Sequence, residues 1–213
     1  MAPAIRLRSA VALLGRFPAL AGVDLDVQRG EIVLAQGPNG AGKTSLLRAC
    51  AGLLAVTDGE AVVLGHDLRK ERRQVRRHVG FLGSEGFLYD DLTVDDNVRF
   101  AVRAAKADTA RIEPTLERLG LSGRLRSVAA GKLSTGQKRR VALATVVAKD
   151  ADLWLLDEPH AGLDAEGRNT LDDLIRDAAA RGRTVVVASH EAVPAHRIVH
   201  VAGGEVKEPA RVA

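Results

Sequence analysis

The sequence predicts an α/β fold, a largely parallel sheet covered by helices, on two observations. Short β-rich runs alternate with segments of helical spacing along most of the chain. Two of the runs, "DLWLLDEP" and "TVVVASH", are continuously apolar and then end in polar residues, as central parallel strands do when functional groups sit at their carboxyl edge. At 213 residues, 46% hydrophobic and 27% charged, the chain is long enough to bury a full sheet between helix layers, and a single domain over 1–213 is expected.

Taken in order, the first run with a clear period is "AGVDLDV", whose strict alternation puts Val23, Leu25 and Val27 on one face. "GEIVLAQG" is a fuller apolar strand, and "GPNGAGKT" leads from it into a helix over 43–54. "GEAVVLG" and "HVGFLG" add two strands. Between them "DLRKERRQVRRH" reads as a solvated helix or loop at a domain edge. Helical spacing returns over 94–106, 109–119 and 135–149, and a last helix over 165–180 separates "DLWLLDEP" from "TVVVASH". No internal repeat or low-complexity linker interrupts this order.

The composition excludes several classes of protein. The longest apolar run, "VALATVVA", has eight residues, and "MAPAIRLRSA" lacks the apolar centre of a signal peptide, so neither a membrane span nor secretion is expected. The single cysteine, Cys50, rules out an internal disulfide and a multi-cysteine metal site; its neighbours in "SLLRACAGLL" make it a packing residue. The net charge of +4 is spread along the chain and aromatics make up only 3%, which describes a solvated basic face, of a kind that can lie beside anionic lipid. No nucleic-acid partner is expected.

The strongest chemical signal is "GPNGAGKT", which fits G-x-x-x-x-G-K-[ST] between a predicted strand and a predicted helix. Gly37, Gly40 and Gly42 let the loop, which also holds Pro38, Asn39 and Ala41, turn its backbone N–H groups inward around a β-phosphate, and Lys43 reaches the β and γ oxygens. The Thr44 hydroxyl can coordinate Mg²⁺, and Ser45 completes the nucleotide-binding candidates. Downstream, Asp157 and Glu158 follow an apolar strand, and adjacent carboxylates there are costly to bury unless a cation or substrate holds them. Asp157 suits the Mg²⁺ shell through water, and Glu158 suits a base that orients or deprotonates an attacking water. His190, at the edge of the next strand, is placed to contact a γ-phosphate; a lone histidine is usually structural, and its position in this order sets it apart.

"LSTGQKRR" raises a separate question, because it looks like the start of a helix built around an anion. Ser134 is a favoured cap, Gly136 permits close backbone approach, and Gln137 begins a run of helical spacing. Lys138, Arg139 and Arg140 near the start oppose the helix dipole, a cost that an arriving anion offsets. The chain's own phosphate loop serves its own nucleotide, so the candidate anion is the γ-phosphate held by a second copy.

With these motifs the chain resembles the ATP-binding subunits of ATP-binding-cassette transporters. "GPNGAGKT" matches the Walker A motif, "LSTGQ" the signature, "LWLLDEP" Walker B, "AGLD" the D-loop and His190 the switch histidine, in the family's order. The resemblance implies a RecA-like P-loop core with an antiparallel β edge from the N-terminal strands and a helical subdomain over about 90–133. It also implies ATP and Mg²⁺ as cofactors, and a head-to-tail dimer in which Ser134, Gly136 and Gln137 close on the opposite ATP. Glu158, His190 and Lys43 are then the catalytic residues, and integral membrane subunits are the driven partners at the cytoplasmic face of the membrane.

Two departures from the family pattern stand out. Where cassettes present an adenine-stacking aromatic, "LLGRFPAL" has Leu14, and Phe17 three residues on is the substitute. Where they carry a glutamine that helps hold Mg²⁺, alignment on "LTV" places Ser84, a third metal-ligand candidate or simply a turn cap. The replaced glutamine, "LWLLDEP" with Trp154 and "LSTGQKRRVALA" are similar to the haem-exporter ATPases of cytochrome c maturation, which implies haem-handling partners. Alternatives are the ATPase of a drug, polysaccharide or peptide exporter, or a soluble cassette in DNA repair or translation. A small-molecule kinase would share Walker A but has no use for "LSTGQ".

Overall fold

The computed structural model describes residues 2–83 and 87–207. The chain opens with an antiparallel hairpin, β1 (Ile5–Leu14) and β2 (Phe17–Val27), that turns at Gly15. Val23, Leu25 and Val27 all point into the core, as their alternation predicts. β1 was not legible as a strand, because Ser9 sits at φ 45 and shifts the pairing between Leu7 and Ala10, which breaks the period of two. The bulge fits because residue 59 is glycine: a Cβ there would stand 2.3 Å from the Ser9 carbonyl oxygen.

β3 (Ile32–Gln36) runs into α1 (Lys43–Cys50), shorter than the predicted 43–54 because Gly52 takes φ 67 and the Leu53 and Leu54 amides turn back to the Arg48 carbonyl. β4 (Val56–Val63) and the two-residue β5 (His66–Asp67) follow, then α2 (Leu68–His78), the charged run realised as a helix that buries only Leu68 and Val75. β6 (Val79–Leu82) leads to α3 (Val94–Ala104). The predicted helix over 109–119 divides into a 3₁₀ turn and α4 (Ile112–Arg118), with Pro114 placed in the first turn where it costs no hydrogen bond. α5 (Thr135–Lys149), β7 (Leu153–Asp157), α6 (Ala165–Ala180) and β8 (Thr184–Ala188) lie where the sequence puts them. Two further strands, β9 (Arg197–Ala202) and β10 (Glu205–Lys207), close the described chain.

The main sheet has the order β10-β9-β3-β8-β7-β6, parallel except for β10. The N-terminal strands supply the expected antiparallel part of the fold, as a separate four-stranded sheet, β2-β1-β4-β5. Each central strand feeds two cores. Leu153 and Leu155 pack with α1 and the antiparallel sheet on one side, while Trp154 and Leu156 pack with α3, α5 and α6 on the other. That double burial explains why β7 and β8 read as unbroken apolar runs. Cys50 is buried in the first of these cores, and desolvation pushes its thiol up to about 12, as a packing residue requires. Among the described residues no helix is long and apolar enough to cross a membrane.

Candidate active site

The phosphate-loop candidates form the turn between β3 and α1, at the carboxyl edge of the main sheet. Two glycines there admit no substitute. A Cβ at Gly37 would stand 2.0 Å from the Val201 carbonyl oxygen, and Gly42 takes φ 108, where a Cβ would stand 2.9 Å from the Ala19 carbonyl oxygen. The buried Lys43 ammonium donates to the Gly37 carbonyl at 2.7 Å and the Pro38 carbonyl at 3.1 Å, so the loop folds around its own cation. A phosphate oxygen, itself charged, is a stronger partner for this ammonium than a carbonyl.

β7 and β8 bring the other groups to the same edge. The Thr44 hydroxyl donates to Asp157 Oδ2 at 2.9 Å, uniting the two expected Mg²⁺ ligands. His190 Nε2 lies 2.8 Å from Asn39 Oδ1, 3.2 Å from Lys43 Nζ and 3.6 Å from Glu158 Oε1. A single ring nitrogen cannot donate to Asn39 and accept from Lys43 at once, so the tautomer decides which contact is a hydrogen bond. Glu158 Oε2 also accepts from the Ser189 hydroxyl at 3.3 Å. Its backbone is in the left-handed region at φ 43, unusual for a residue other than glycine and common at sites where a side chain must be aimed.

A pocket of about 560 Å³ lies over the loop, lined by Lys43, Thr44, Ser45, Asp157 and Glu158 and walled on the far side by Leu14 and Phe17. Phe17 is 79% exposed on this wall, an aromatic face open to a base. Ser84 lies outside the described residues.

Ser134, Gly136 and Gln137 do not line that pocket. They start α5, where the Ser134 hydroxyl accepts from the Gln137 amide at 3.2 Å and the Gln137 side chain accepts from the Ser134 amide at 2.9 Å, a full capping box. Ser134 is exposed, and Gly136 packs against the D-loop, where a Cβ would stand 2.8 Å from the Gly162 carbonyl oxygen.

The structure corrects the argument from the three cations of this helix, because each is held within the chain. Lys138 pairs with Asp90 at 3.2 Å, and Arg140 pairs with both Asp164 oxygens at 2.8 Å. Arg139 turns inward to the carbonyls of Gly83, Asp157 and Glu158. What α5 offers an external anion is therefore its N-terminal turn and Ser134, not its positive side chains.

Two site residues were not singled out in the sequence. Arg139 is one; burial pushes its guanidinium below the usual value, against the opposing pull of Asp157 and Glu158. The other is His160, buried with Nε2 2.9 Å from Asp172 Oδ1 and Nδ1 3.6 Å from Glu191 Oε2, which joins α6 to the segment after β8. Its only signal was a histidine two residues past Glu158.

Asp157 is 2% exposed, and burial raises its carboxyl above the usual range, with the Thr44 hydrogen bond pulling the other way. The native state therefore binds this proton more tightly than the unfolded chain does. Ionised Asp157 thus costs stability above its raised value, and the cost vanishes as pH falls through it. Asp157→Asn is expected to raise the melting temperature of the nucleotide-free protein in mildly alkaline buffer, by a margin that shrinks on acidification. Melting curves across pH check this; a variant less stable at alkaline pH would contradict it.

The sequence pattern of the ABC transporter family matches residues 20–161. The chain is 42% identical over 188 residues to the cytochrome c biogenesis ATP-binding export protein CcmA of Bordetella bronchiseptica, covering 86% of this chain and 83% of that one. It is 38% identical to the sulfate/thiosulfate import ATP-binding protein CysA 2 of Rhizobium meliloti, over 96% of this chain and 59% of that one. A solved structure described as a dimeric, post-hydrolysis ATP-binding cassette with ADP and Pi superposes with a TM-score of 0.84 at 26% identity, covering 96% of this chain and 98% of that one. The phosphate loop, the paired carboxylates and His190 at one sheet edge agree with these likenesses, and the chain belongs to the ABC transporter family as an ATP-binding subunit that hydrolyses ATP.

Proposed function

We propose that this ATPase works as a head-to-tail pair at the cytoplasmic face of the membrane, driving membrane-spanning subunits in haem export for c-type cytochrome assembly. The observation that carries the haem assignment is the 42% identity to a cytochrome c biogenesis export protein over 86% of the chain. A second reading, the ATPase of another ABC transporter, is supported by the sulfate/thiosulfate relative, which matches over 96% of the chain.

In this reading the loop amides and Lys43 bind the β- and γ-phosphates, and Phe17 stacks on the adenine. The Thr44 hydroxyl and the Asp157 carboxylate, 2.9 Å apart, hold Mg²⁺. Among the described residues no group of three or more His, Cys, Asp or Glu side chains gathers as a metal site. One hydroxyl and one carboxylate fit an ion that keeps several waters and takes the rest of its shell from phosphate. When bound, the ion neutralises phosphate charge. Glu158 orients and deprotonates the attacking water, and His190, between Asn39, Lys43 and Glu158, holds the γ-phosphate side. Ser134, Gly136 and Gln137 complete the site of the second copy from the N-terminus of α5.

Deleting the gene tests the haem assignment. Covalent haem staining of c-type cytochromes is expected to disappear while b-type haem proteins persist, because the proposed step handles haem after its synthesis. Normal staining in the deletion strain would reject haem export and leave the second reading.

A further inference from the structure

We propose that Arg139 is the positioning residue for Glu158, so that the helix starting at Ser134 holds the catalytic base of its own chain. The inference rests on the reading of Glu158 as the base. Arg139 occupies the fifth position of α5 and is 7% exposed. Its Nη1 donates to the Gly83 carbonyl at 2.7 Å, and its Nη2 to the carbonyls of Asp157 at 2.7 Å and Glu158 at 2.6 Å. The ladder between β6 and β7 ends at Leu82 and Leu156, while β7 stays paired with β8 through Asp157 and Ala188, so these carbonyls stand where only the β6 side of the pairing has run out. The guanidinium joins the two strand ends past the last rung, with a planar fork that a lysine lacks.

The consequence falls on Glu158. Its left-handed backbone is fixed from both sides: the amide donates to the Ala188 carbonyl of β8 at 2.8 Å, and the carbonyl accepts from Arg139. A non-glycine residue persists there only when its surroundings impose it. That backbone sends the carboxylate toward Ser189 and His190. Lys138 and Arg140, on either side, pair with surface carboxylates instead, so Arg139 alone among the three ties α5 to the base. A movement of α5, as its Ser134 end meets the nucleotide of the second copy, is passed by this link to Glu158 of the same chain.

The test uses the full chain with Arg139→Lys, which keeps the charge but not the fork, and Arg139→Gln as a second variant should the first lose its fold. Both are expected to bind ATP as wild type does, with KM little changed, and to lose roughly 10-fold or more in kcat, as a displaced catalytic group does. Because Arg139 acts through Glu158, adding Arg139→Lys to Glu158→Gln should lower residual turnover by less than about 2-fold. Turnover within about 2-fold of wild type in Arg139→Lys, an equal loss in both backgrounds, or joint loss of melting temperature and ATP binding in both variants would overturn the proposal. Glu158→Gln alone separates the two readings: wild-type turnover there rejects Glu158 as the base whatever Arg139 does.

Discussion

Glu158→Gln is expected to bind ATP with wild-type affinity and to turn over at least roughly 10²-fold more slowly, a loss of about 2.7 kcal/mol of transition-state stabilisation. The amide keeps the size of the side chain and can still accept from Ser189, so the backbone and the loop should stay in place. What it loses is the capacity to take a proton from water. Asp157 and Thr44, which form the other half of the site, are untouched, which is why binding survives. Measuring ATP affinity and steady-state hydrolysis on the same preparation checks this, and normal hydrolysis removes Glu158 from the mechanism.

Ser134→Arg is expected to abolish hydrolysis by a different route. Ser134 is exposed and lies off the chain's own pocket, so the monomer should bind ATP almost normally. The substitution gives up the capping box, worth about 1 kcal/mol, and sets a bulky cation at a helix end meant for an anion on another copy. Ser134→Ala gives up the cap alone and should keep most of the pairing, which separates the cap from the interface. Loss of ATP binding by the Ser134→Arg monomer would mean that this helix serves its own nucleotide.

Legibility in the sequence followed the physics of each element. β7 and β8 were readable because burial on both faces leaves an unbroken apolar run, and α5 and α6 because their caps and spacing are local. β1 was hidden by a bulge at Ser9 that is accommodated by Gly59 on another strand. The phosphate loop, Asp157, Glu158 and His190 were legible because each sits at a strand end in fixed order. The role of Arg139 was not, since its partners are backbone carbonyls at separations of 18, 19 and 56 residues, and carbonyls have no sequence signature. The same blindness turned three cations into an argument for an external anion, when Asp90, Asp164 and strand-end carbonyls already hold them.

In the proposed mechanism two copies close on two ATP molecules, each site borrowing the Ser134 end of the other chain. Light scattering on the Glu158→Gln protein, which holds ATP without consuming it, measures this most directly. With Mg²⁺ and ATP the mass is expected to double, to return to the monomer value on exchange into ADP, and not to change at all once Ser134→Arg is added. A protein that remains monomeric with saturating ATP, or that pairs equally well with Ser134→Arg, would contradict the account.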